Sequence, residues 1–386
     1  MLVATSVATD TRVLREAGTL ADAGHSVHII GRSVPEGFAP PSGITVSSVG
    51  TSSVFRAEGK PSLAGRKLPA PVRLARWLLL PQHRRSAFGR WAAGALEQAD
   101  SLDFDVVHAH DFTALAAGAT LADSHGAALV YDSHELWTGL PREHRPTPLA
   151  DRREKRVEAE LGGRAEAVIT VGEGVADALR DLYGWSHVHV VRNTFPLLPE
   201  PPVVPATPQG LVYAGRIEAF RELETISAAS RELDLPVTMC GPADQTWLSS
   251  FDPGRATVLG ALPLDEASAL MAEAGLALVS HSDRWVNHRL ALPNKLFHAV
   301  SLGLPVVATD VGELGKIVRQ HRLGTLYAPG DAASLVQAIR SAVEDFENLK
   351  CNVEAARTAL SWSTDSARLR AVYESLRPAT GAREEG

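Results

Sequence analysis

The chain has 386 residues, 45% hydrophobic and 22% charged, with a net charge of −7 at pH 7. Its length suits two domains with real cores, and its charge gives no general attraction to nucleic acid. The two cysteines, Cys240 and Cys351, are too few for a disulfide framework and lack metal-ligand spacing, so a reducing cytoplasm is expected.

The first half alternates strand and helix. Residues 1–7 read as a short apolar strand. Val13, Leu14, Ala17, Leu20 and Ala21 then recur at helical spacing, and Gly24 stops the helix. Further strands are expected at 27–30, 105–109, 128–131 and 167–171, with helices after 109 and over 173–183. Near-continuous apolar strands separated by helices predict a parallel sheet covered on both faces. Residues 194–210 are rich in proline and read as a linker. The alternation restarts at 211–214 and continues at 236–240, 257–259, 276–280, 305–308 and 325–327. The expected domains are 1–193 and 211–360, with a helix and tail over 361–386. Ligands on such sheets bind at the carboxyl ends of the strands, and with two domains the expected site is the cleft between them.

Residues 56–90 carry nine Lys or Arg against one acid, Glu58, with Trp77, Leu78, Leu79, Leu80 and Phe88 among them. Two readings stand open: a solvated basic insertion, or peripheral contact with an anionic membrane. The apolar run Trp77–Leu80 is far below the roughly 20 residues that span a bilayer, and no signal peptide is read at the N-terminus.

Dinucleotide and P-loop fingerprints are absent, so phosphate-handling groups must come from elsewhere. Gly215 ends a strand, Arg216 follows it, and Arg221 lies near the next helix. Two guanidiniums there could clamp a diphosphate. Alternatively they pair on the surface with Glu218, Glu222 or Glu224. Pro293 marks a helix start, where free N–H groups of Asn294 and its neighbours attract phosphate and Lys295 adds a charge; an ordinary capped helix is the plainer reading. His108 and His110 share one side of a strand. His110, nearer the carboxyl end, could meet a sugar hydroxyl or serve the structure alone, and the same holds for Tyr131–Glu135 on the next strand. Asp103-Phe104-Asp105 precedes its strand and is discounted as a metal motif.

Together these pieces resemble the retaining glycosyltransferases of family 4. The resemblance runs through 10–17, 23–27, 105–111, 131–136, 191–193, 213–216, 292–297, 303–308 and the Trp362–Tyr373 helix. It implies a GT-B fold, two Rossmann-like α/β domains with parallel sheets facing an interdomain cleft. It implies transfer from a UDP- or GDP-type sugar to a hydroxyl of a cell-surface glycan, glycolipid or natural product, with no further cofactor and no metal. His110 would lie near the donor sugar. Arg216 and Arg221 would hold the diphosphate, and Gly215, Asn294, Lys295 and Leu296 would approach the donor. Asp10, Arg12, His134 and Glu135 would stand on the acceptor side. Family members often carry two glutamates eight residues apart; Leu290 and His298 stand there instead. His298 could still bond a ribose hydroxyl, and Glu313, just after the strand at 305–308, could serve as a substitute contact. Two alternatives remain: a sugar-nucleotide epimerase of the same fold, or a non-catalytic sugar-nucleotide binder.

Overall fold

A computed structural model describes residues 1–32, 34–50, 89–140 and 148–376. The basic stretch 56–90 therefore lies outside the described residues, apart from its last two. Contacts divide the chain into two units. The first holds residues 1–171, 175–191 and 366 onwards; the second holds 172–174 and 192–365. Residues 194–210, read from sequence as a linker, group with the second unit.

The first unit is built on β1 (Leu2–Val3), β2 (Val27–Arg32), β3 (Ile44–Val49), β4 (Val106–His110), β5 (Ala128–Ser133), β6 (Ala167–Thr170) and β7 (Val188–Val190). They form one sheet in the order β3-β2-β1-β4-β5-β6-β7, with every pair parallel. Helix α1 (Thr11–Asp22) follows β1, and a helix over residues 89–99, α2, precedes β4. Asp10 caps α1 by accepting from the Val13 N–H at 3.3 Å. Val13, Ala17 and Leu20, at helical spacing, are buried against the sheet. Helix α3 (Asp111–His125) begins directly at the end of β4. It lies close because Gly118 has no side chain: a Cβ there would stand 2.8 Å from that of Ala109. Helices α4 (Pro148–Gly163) and α5 (Glu173–Tyr183) complete the crossovers.

The second unit has β8 (Gly210–Ala214), β9 (Val237–Cys240), β10 (Thr257–Val258), β11 (Gly275–Val279), β12 (Val306–Thr309) and β13 (Gly324–Tyr327), again all parallel, in the order β10-β9-β8-β11-β12-β13. Its helices are α6 (Leu223–Ser230), α7 (Gln245–Leu248), α8 (Leu264–Ala274), α9 (Val286–Leu290), α10 (Asn294–Ser301), α11 (Gly312–His321), α12 (Ala332–Glu344), α13 (Phe346–Arg357) and the start of α14 (Trp362–Ser375). Two apolar clusters cover the sheet. One centres on Phe297, Val300 and Val306, the other on Tyr213, Ile226 and Ile339. In both sheets the strand order reverses direction beside the first strand, between β1 and β4 and between β8 and β11. Such switch points leave a crevice at the carboxyl ends of the strands.

Three differences from the sequence reading have simple causes. The strand expected over 1–7 is only Leu2–Val3, because the chain turns into a short 3-10 helix at Val7–Thr9. Strand β3 is half polar, so no apolar run announces it. Strand β7 is only three residues long.

Candidate active site

In the first unit, the ends of β4 and β5 bring His110 beside Asp132, a pairing fixed by the strand register. Asp132 is fully buried and takes four bonds. Arg12 donates from Nε to Oδ2 at 2.9 Å and from Nη2 to Oδ1 at 2.8 Å. His110 Nδ1 lies 3.1 Å and His134 Nε2 3.0 Å from Oδ2. Arg12 also donates to the Val191 carbonyl at 2.8 Å and lies 2.9 Å from Glu16 Oε1. Behind this layer, His108 stacks on His110 with ring centroids 4.3 Å apart, and its Nδ1 meets the Tyr373 hydroxyl at 2.8 Å.

These contacts set the charges. Burial works against a charged Asp132, but Arg12 and His134 overcome it and hold the carboxyl well below its ordinary range. Burial likewise opposes a charged His134, yet Asp111, with Oδ2 at 3.3 Å, and Asp132 push its pKa up to about 10. Burial lowers His108 and His110, leaving both neutral. Burial also raises Glu16 to about 8, against the pull of Arg12. Of the three histidines only His134 reaches the surface, with a fifth of its side chain exposed. His110 is 1% exposed.

Glu16, His108, His110 and Asp132 place ligand-type atoms within 4.8 Å of one another. They do not fit a metal ion. Arg12 already supplies positive charge to both carboxylates. The two histidine rings lie 14° from parallel, so their nitrogens do not aim at one point.

In the second unit, the switch point between β8 and β11 gathers cations. Arg216 follows β8, Arg221 precedes α6, and Lys295 stands in the first turn of α10. Gly241, with φ at 143°, allows a tight approach here: a Cβ would fall 2.0 Å from the Gly215 carbonyl oxygen. Both arginines bond Glu218. Arg216 Nε donates to Oε2 at 3.1 Å; Arg221 donates to Oε1 from Nε at 3.0 Å and from Nη2 at 2.7 Å. The surface pairing weighed from sequence is thus present, and Glu218 is the partner. Burial pushes the Glu218 pKa up, but the arginines win and lower it. Lys295 is different. Its ammonium donates to the Ser280 carbonyl at 2.6 Å and sits 4.4 Å from the Tyr213 ring centroid. No carboxylate pairs with it among the described residues. Burial, then Arg221, pull its pKa down to about 7. His281 and His288 beside these cations are held neutral, near 2 and 4, chiefly by burial.

The remaining expected residues divide. Asn294 accepts from Asn193 Nδ2 at 2.9 Å near the start of α10. Leu296 is a correction: its side chain is fully buried in the core and its N–H is spent on the Pro293 carbonyl at 2.9 Å. His298 is buried, stacked on Phe195 at 4.9 Å and bonded to Ser268 Oγ at 2.9 Å; burial lowers its pKa to about 4. Glu313, in the first turn of α11, lies 3.3 Å from Lys316. Arg12 is also a correction: expected on the acceptor side, it is 3% exposed and locked in internal ion pairs. Asp10 spends one oxygen on its capping bond. Glu135 is exposed.

The family model for Glycosyltransferase Family 4 matches residues 9–197, and that for Glycosyl transferases group 1 matches residues 209–345. The chain belongs to the family 4, group 1 glycosyltransferases. A glycogen synthase of Mycobacterium tuberculosis is 27% identical over 291 residues, covering 70% of this chain and 68% of that one. Among solved structures, the sucrose-phosphate synthase of Thermosynechococcus elongatus superposes with a TM-score of 0.73 at 17% identity, covering 97% and 98% of the two chains. Anabaena HepE in complex with UDP-glucose gives 0.68 at 17% identity, covering 97% and 99%. The fold is therefore GT-B, with two Rossmann-like parallel-sheet domains.

Within this glycosyltransferase, sequence reasoning missed the roles of Asp132 and Glu16. Both are remote in sequence from one partner or more; Asp132 and Arg12 lie 120 positions apart. The signal that could have raised Glu16 was its place four residues after Arg12 on the helix.

Proposed function

We propose that this glycosyltransferase moves a sugar from a nucleoside diphosphate, of UDP type, to a hydroxyl acceptor with retention of anomeric configuration. The observation that carries the reading is the surplus of cations at the switch point of the second unit. Arg216 and Arg221 have one carboxylate between them, Glu218, while Lys295 donates to a backbone carbonyl, and a diphosphate is the ligand that such a surplus attracts. The UDP-glucose bound by HepE, on the same fold, favours the uridine nucleotide. In this reading the cations stabilise the departing diphosphate. They supply the neutralisation that a metal ion gives elsewhere, so turnover should resist chelators. No side chain described above is placed as a covalent nucleophile, and a same-face attack, with the leaving phosphate taking the acceptor proton, suits that arrangement. In the first unit we assign His134 to substrate, because of the clustered His108, His110 and His134 it alone reaches the surface. His110 is then a positioning residue behind it, rather than the contact expected from the resemblance.

A thermal-shift screen of nucleotide sugars identifies the donor, since a true ligand stabilises the native state according to its concentration over Kd. With that donor, Arg216→Ala is expected to lower kcat/KM about 100-fold, the size of one lost transition-state donor, at unchanged melting temperature. Undiminished turnover would remove the clamp. Proton NMR of the product reads the anomeric configuration. Sugar isomerisation with donor alone would instead make the protein an epimerase.

A further inference from the structure

We propose that Glu218 is a built-in counter-ion that matches the charge of the site to the substrate and against the product. This rests on the reading of the second unit as the diphosphate site. Each Glu218 oxygen takes one arginine, Oε2 from Arg216 and Oε1 from Arg221. That is how two oxygens of a phosphate would bridge the same pair. Exchange needs no unfolding, because Glu218 is 28% exposed and Arg216 67%.

The loop does not depend on Glu218 for its shape. Ile217, fully buried, donates its N–H to the Pro242 carbonyl at 2.9 Å and accepts from the Asp244 N–H at 2.9 Å. Arg221 is anchored through its carbonyl, which accepts from Ser280 Oγ at 2.7 Å. Phe220 and Glu222, on either side of it, adopt left-handed backbone with φ of 66° and 62°, a conformation that surrounding contacts must hold. The Glu222 carboxylate is one such contact, taking the Gly330 N–H at 2.6 Å and Thr225 Oγ1 at 3.0 Å. The carboxylate at 218 is therefore free to act through charge alone.

Arg216, Arg221 and a protonated Lys295 against Glu218 leave two positive charges. A nucleoside diphosphate sugar carries two negative charges, one on each phosphate. The free nucleoside diphosphate left after transfer has a terminal phosphate whose second ionisation lies near pH 6, so at neutral pH it carries a third. With Glu218 present the site balances the donor and is under-charged for the product. The carboxylate thus weakens product retention more than donor binding and assists release.

Calorimetry on the full chain at low salt tests this with UDP, UDP-glucose and inorganic pyrophosphate. Glu218→Gln is expected to tighten UDP about tenfold, the size of one freed charge-assisted bond, and UDP-glucose by a smaller factor. Both gains should shrink in high salt. Should Glu218→Gln not fold, Glu218→Asp, which draws the carboxylate back from one arginine, should tighten UDP by a smaller factor. Equal or weaker UDP binding in a folded variant overturns the counter-ion, as does an equal gain for UDP and UDP-glucose. A wild-type chain that binds none of the three probes overturns the diphosphate site itself.

Discussion

In the first unit Arg12, Asp132, His134 and Asp111 neutralise one another within the fold. In the second, Arg216 and Arg221 share one carboxylate, Glu218, and Lys295 donates to a backbone carbonyl instead. The first arrangement is buried at its centre, Arg12 and Asp132, and its partners are saturated by each other. The second is partly open and leaves Lys295 without an acid. An ion network that closes on itself positions side chains; one that does not close is prepared for a ligand. On the proposed reading the contrast separates positioning residues such as Arg12 and Asp132, with His134 at the open edge of their network, from the cations offered to the diphosphate.

The largest effect is expected where the network closes. Asp132→Ala leaves the Arg12 guanidinium with Glu16 and the Val191 carbonyl only, and it takes the shared acceptor from His110 and His134. Breaking one side of a buried pair should cost about 3–5 kcal/mol, read as a fall in the denaturant midpoint. Replacing both partners, Arg12→Met with Asp132→Leu, should cost less than the single change. A double variant that loses more than Asp132→Ala would show that the cluster does more than balance charge.

Lys295 breaks the comparison from the other side. Its folded pKa near 7 lies below the value near 10.4 of an unfolded lysine. Between those values the unfolded chain holds more protons, so this group makes stability rise as pH climbs from about 7 to 10. Donor binding should run the opposite way, because a diphosphate favours the charged ammonium. UDP affinity is expected to weaken as pH rises through 7, with proton uptake on binding at pH 8 detectable by calorimetry in buffers of different ionisation enthalpy. Lys295→Met should stabilise the free protein at neutral pH, lose about 10- to 100-fold in UDP affinity, and bind with no proton uptake. A variant that keeps wild-type affinity and proton uptake would place Lys295 outside the ligand site.

Much of this was legible from local pattern. The apolar runs at 210–214, 275–279 and 306–309 and the helix at 173–183 announce themselves. The stacked His108 and His110 follow from the two-residue period of a strand. Arg216, Glu218 and Arg221 lie within six residues, so their pairing was a local choice. The Asp132 hub was not legible. It needs β4 beside β5 in register, α1 placed so that Arg12 reaches Asp132, and the Val191 carbonyl turned inward, contacts that span up to 179 positions. Leu296 shows the converse. It lies inside a motif read from the resemblance as approaching the donor, while its own side chain points to the core because helical spacing turns it away from Lys295.

The smallest effect is expected at His298, where family members often carry a glutamate. The imidazole is buried against Phe195 and bonded to Ser268, and burial lowers its pKa to about 4, so it is neutral over the working range. A neutral ring so placed belongs with the self-satisfied groups of the first unit, although it lies in the second. His298→Gln keeps a partner for Ser268 and gives up the stacking, a loss of about 1 kcal/mol, or roughly 2–4 °C in Tm. UDP-glucose affinity should change less than twofold and stay flat against pH from 5.5 to 8 once Lys295→Met has removed the lysine's contribution. A tenfold loss of affinity at unchanged Tm would mean the reverse: the imidazole bonds the ribose in the complex, and the helix start at Asn294 recognises the donor with a histidine where its relatives use an acid.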